Sequence, residues 1–300
     1  MRQDDRAHRP RTGGSAISTV YQADPLARLL IERLSLRTHT VAIAALSWSF
    51  VYLFVLPAAF GGLRSADGYL GSLHDWHAQL LLLLVFPATC AFYLWQPDAI
   101  VGVHQAILSG DASRDGGRAY RGSTWWRLSL LLALAVVLFD VPKMVADRGS
   151  WWMVQNWLTI AGREASLSVA FYMVSMMAWR QLAATLEWRR LLEGPSADAA
   201  VKAVTKYGLS CAFLLALFGL RLSIEGIELP QRSGAITPDY YVKIAIYIAA
   251  GLACFFAPLG GVLRRGPRMS LDRLLTLLQL AGIMALPVLA FVVLKVALGG

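Results

Sequence analysis

At 300 residues the chain is long enough for two soluble domains, yet 57% of it is apolar and only 16% charged, against roughly 45–50% and 25% in soluble domains. A globule of that composition would expose larger apolar patches than soluble monomers carry, so the composition points to a polytopic membrane protein in a plasma or bacterial inner membrane. The net charge of +9 does not argue for nucleic acid, because the basic residues stand between apolar segments, where a lipid bilayer accounts for them.

Taken in chain order, residues 1–23 are polar, carry Arg-Pro-Arg-Thr-Gly-Gly and lack apolar periodicity, which predicts a disordered cytoplasmic tail. Asp24-Pro25 is a helix-start signal, a capping carboxylate followed by proline at the first helical position. Leu26, Leu29, Leu30 and Leu34 then recur at helical spacing, which predicts an amphipathic interfacial helix over 24–38. The transmembrane bundle is expected over 39–300, an all-α fold of about seven spans near 40–63, 77–95, 125–145, 165–181, 207–224, 240–263 and 274–298. The fourth and fifth of these are the shortest on strict apolarity. With the N-terminus inside and seven spans alternating, 20 of the 28 lysines and arginines fall on the inner side, so the positive-inside rule predicts an N-in, C-out threading.

Between Gly162 and Gly194 no glycine or proline interrupts the chain, enough for about 46 Å of helix, against a hydrocarbon core of ~30 Å. The fourth and fifth helices are therefore expected to project inward as a hairpin around Gly194-Pro195. Its face of Leu182, Leu186 and Leu192 needs a partner, so a homo-oligomer or membrane-complex contact is expected through the cytoplasmic helices around Glu193.

Few motifs carry chemistry. The segment from Asp111 to Gly116 matches half of a calcium loop, but its twelfth position is Gly122 and three arginines lie within it. His74-Asp75-Trp76-His77 has two histidines and a carboxylate with no further ligand near in sequence, and reads as an interfacial cluster. His104 lies beyond Pro97, outside the expected bundle. The three cysteines form no spacing motif, and no cofactor is expected. Nucleophile elbows, His-Glu-x-x-His and phosphate loops are absent, so nothing argues for an enzyme.

Charges near the outer helix ends are more informative, since ionisable groups in a span face the bundle or water. Asp140 and Lys143 of the third segment, Arg163 and Glu164 of the fourth, Arg221 and Glu225 of the fifth, and Tyr240 and Lys243 of the sixth are expected to converge on one outward-facing polar pocket, a ligand or ion pathway. Asp140 cannot reach the headgroups and is expected to pair with Lys143 or Arg221. The inferred architecture is similar in topology to insect odorant and gustatory receptor channels, which implies a ligand-gated ion channel. Their Thr-Tyr and Gln-Phe signature has no counterpart in 274–298. A channel, transporter or receptor is the leading expectation; a membrane enzyme acting on lipids and a scaffold subunit are the alternatives.

Overall fold

The computed structural model describes residues 20–21, 23–66, 68–108, 124–146, 150–192, 198–233, 238–259 and 271–297, and among these it is helical with no strand. Helix α1 starts at Pro25–Arg28 and ends in a wide π turn, Leu29–Arg33. Seven longer helices follow, one for each apolar segment: α2 (Thr38–Phe60), α3 (Trp76–Leu108), α4 (Trp125–Ala146), α5 (Trp157–Leu191), α6 (Asp198–Ser233), α7 (Pro238–Phe256) and α8 (Leu271–Ala297). Five of them, α2, α3, α4, α6 and α8, are long and apolar enough to cross a membrane. The apolar part of α7, Tyr240–Phe256, is shorter, and α5 carries too much polarity along its length.

The ends are set by local chemistry. Asp24 Oδ1 accepts from Leu26 N and Ala27 N, Asp75 from Ala78 N and Asn156 from Leu158 N, each satisfying an orphan amide of a first turn. Gly61 ends α2 at φ +83°, a conformation that a side chain resists. Both α2 and α3 widen into a π turn, Val51–Val55 and Leu81–Val85, just before Pro57 and Pro87. Proline brings no amide and clashes with the carbonyl four residues back; the wide turn absorbs that mismatch.

Helices α3 and α6 are the centre. Helix α2 packs on α3, α5 on α3, α4 on α5, and α7 and α8 on α6. The peripheral position of α4 and α8 leaves only 17% and 11% of their apolar windows buried, so their outer faces suit lipid. Gly162 lets α2 approach α5 closely, because a Cβ there would stand 2.8 Å from the Tyr52 ring.

Two expectations change. Helix α3 continues through Pro97 to Leu108, so the extension at the Trp188 end of the bundle is a unit of α3, α5 and α6 rather than a hairpin of two. Ile100 and Val103 of α3 join Trp188, Leu192, Ala200 and Val204 in one buried cluster, and His104 lies 4.0 Å from Glu187 of α5. Of the leucines expected to need a partner, Leu192 is buried in that cluster, whereas Leu182 and Leu186 are exposed. Also, Val20 and Tyr21, at the end of the tail expected to be disordered, are buried against the bundle. The turn around Glu193 and the Asp111–Gly122 loop lie outside the described residues.

Candidate functional site

One end of the bundle is closed by paired loops. Leu70 N donates to Ser150 O and Trp152 N to Leu70 O, which ties the α2–α3 connection to the segment before α5. Asp75 is fully buried between them, and its Oδ2 accepts from the indoles of Trp151 (2.5 Å) and Trp152 (3.1 Å). The carboxylate of the His-Asp-Trp-His motif is therefore a structural clamp. Its histidines diverge: His74 Nδ1 meets Ser65 Oγ, while His77 Nε2 accepts from Arg221 Nε at 2.7 Å. Among the described residues no group of three or more His, Cys, Asp or Glu side chains could hold a metal ion.

Beneath this cap lies a cavity of about 120 Å³ between α2, α3, α5 and α6. Arg163, Arg221 and His77 line it together with Trp151, and its deeper wall is apolar. Tyr52, Leu81, Leu82 and Val85, all on the two proline-linked π turns, form part of that wall. The hydroxyls of Ser166 and Thr89 within it are tied to carbonyls one turn back. The space thus combines cationic groups at one end with an apolar chamber.

The expected charges fall into two groups. Asp140 pairs with Arg163, not with Lys143 or Arg221, because the face of α4 that carries Asp140 packs on α5. Arg163 also holds Glu164 (2.6 Å) and lies over the Trp151 ring, 5.8 Å from its centroid. The second group centres on Glu225, which meets Lys243 at 2.5 Å and Arg221 at 3.7 Å. Tyr240 packs over Gly226, next in sequence. Arg163 and Arg221 share the cavity; Lys143 is exposed outside it. Of the aromatic residues near this end, Trp152 is buried, while Trp157 and Tyr241 are exposed.

The best-defined polar cluster is one the sequence reading did not find. Asp24, 1% exposed, pairs with Arg180 of α5, 2% exposed, at 2.5 Å. Tyr93 of α3 and Tyr172 of α5 donate their hydroxyls to the same carboxylate at 2.6 and 2.8 Å. The Arg180 guanidinium lies 4.6 Å from the centre of the Tyr93 ring and donates to Tyr93 O at 3.0 Å. That carbonyl is free because the residue four positions on is Pro97, which has no amide to give it. A proline inside α3 thus opens an acceptor for an arginine from α5. Two signals were legible separately, the Asp24 cap and a proline within an apolar segment, but nothing local joined them to an arginine 156 positions from Asp24.

No family model, no curated protein and no solved structure matches the chain.

Proposed function

We propose that the chain is a multi-pass membrane protein that binds a small solute in an outward-facing pocket and moves or senses it, as a transporter, ion channel or receptor does. The observation that carries this reading is the cavity under the Trp151–Trp152 cap, with Arg163, Arg221 and His77 at one end and an apolar chamber behind them. Arg221 lies well inside the apolar helix α6, and ionisable groups so placed are expensive and mark pathways or ligand sites by default. Pockets for small ligands share this make-up, apolar walls with a few convergent polar groups. The π turns in the wall add support, since such turns concentrate at functional sites.

In this reading α5 and α7 complete seven spans, and the excess of lysine and arginine near the other end puts the cavity outside. Asp140, Glu164, Glu225, Lys243 and Tyr240 hold the two arginines in place, and a charged solute exchanges with those ion pairs. Arg163 is the hub of its group, so it matters more than Asp140. Exposed Leu182 and Leu186 suit a second copy or a membrane-complex partner through the cytoplasmic helices.

The test is reconstitution in liposomes, with conductance and uptake of a panel of small organic ions measured for the wild type, Arg163→Gln, Arg221→Gln and Lys143→Gln. The first two should lose most of any signal per folded molecule, and Lys143→Gln should keep it. A signal indifferent to both cavity arginines, or no signal together with no solute-induced thermal stabilisation, would refute the reading.

A further inference from the structure

We infer that the lateral groove between α1, α4 and α5 holds an acyl chain of an anionic membrane phospholipid, whose phosphate is taken by Arg127. The groove has a volume of about 380 Å³, within the range of small-molecule sites. Leu26 and Leu29 of α1, Leu130 and Leu134 of α4, and Val169 and Tyr172 of α5 are among its walls. Such an apolar space does not hold ordered water, which needs two or more polar partners.

The groove opens sideways. Leu29, Leu130, Leu134 and Val169 are each about 39–49% exposed. On α4 the exposed Leu128, Leu131 and Leu138 continue the same apolar surface beyond it, and α4 is one of the five helices long and apolar enough to cross a membrane. What meets this opening is therefore the bilayer.

Charge complementarity selects the kind of lipid. Trp126 lines the groove, and the exposed Arg127 guanidinium lies over its ring, 5.4 Å from the centroid. Among the described residues no carboxylate pairs with Arg127. A cation beside an aromatic ring at the end of an apolar slot matches a headgroup phosphate attached to an acyl chain. The same slot borders the buried ion pair: Tyr172 lines it and donates to Asp24, and Pro25 beside Asp24 is part of its rim. A lipid here fastens α1, which that aspartate caps, to α4 and α5.

The experiment is native mass spectrometry of the full chain released from maltoside micelles after titration with dioleoyl phosphatidylglycerol or dioleoyl phosphatidylcholine. The wild type should retain phosphatidylglycerol in preference to phosphatidylcholine. Arg127→Gln should reduce that preference about fivefold, the effect of one interfacial cation. Leu130→Trp fills the groove and should remove the tightly held lipid, whereas Leu138→Trp, on exposed surface outside the groove, should not. Where Leu130→Trp lowers folded yield, Leu134→Trp on the same wall makes the same test. Equal retention of the two lipids by the wild type, or unchanged retention in both groove variants, overturns the proposal. So does a chain lacking residues 2–19 that binds more lipid than the full chain, because the protein's own N-terminal segment would then be the occupant.

Discussion

Replacing Asp24 by Asn keeps the side-chain shape and the capacity to cap α1, since Asn and Asp are equivalent as N-caps. What it removes is the charge opposite Arg180. With Asp24 1% and Arg180 2% exposed, the guanidinium is left buried with two hydroxyls, a carbonyl and a ring but no anion. Breaking a buried pair in this way costs about 3–5 kcal/mol, because the remaining charge keeps its desolvation penalty. Arg180→Met should cost a similar amount by stranding the carboxylate. The double variant should cost far less than the sum of the two, since neither charge is then unpaired. The buried thiols of Cys90 and Cys211 supply the assay: a thiol-reactive fluorophore reports their exposure as the protein is heated in detergent. At about 1.6 °C per kcal/mol for a chain of 300 residues, Asp24→Asn should lower the midpoint by about 5–8 °C. Glu32→Gln, which breaks the exposed Arg28–Glu32 pair, should move it by about 1 °C or less. Equal shifts for Asp24→Asn and Glu32→Gln, or additive single variants, would refute the buried-pair argument.

Other outcomes follow from the same geometry. Gly162→Ala should destabilise by about 1–3 kcal/mol, because its methyl would press on the Tyr52 ring; an unchanged melting midpoint would mean that α2 stands further from α5. Asp75→Asn should lose the charge-assisted part of two indole hydrogen bonds and cost about 1–3 kcal/mol, read as a loosened cap by faster proteolysis between Gly62 and His74. For the threading, cysteines near Arg118 and Arg265 should escape an impermeant reagent applied outside, and one at Ser233 should react; labelling near Arg118 would reverse the orientation.

The sequence by itself determined the helical class and the position of every long helix, since apolarity sustained over a bilayer's length and Asp, Asn, Gly and Pro at the ends act through neighbours in the chain. Asp24-Pro25 and Asp75 were legible as helix starts for that reason. It did not determine that Pro97 would leave α3 running on to Leu108, because a proline inside a helix is tolerated more readily when something else takes the carbonyl it strands. That something is Arg180, which by sequence counts as one more inner charge and in the fold is buried. Nor could spacing along the chain say that Asp140 meets Arg163 rather than Lys143, since the choice depends on which face of α4 packs on α5. Long-range pairs among charged side chains are decided by helix rotation and crossing, quantities that apolar periodicity leaves open in segments apolar on every face.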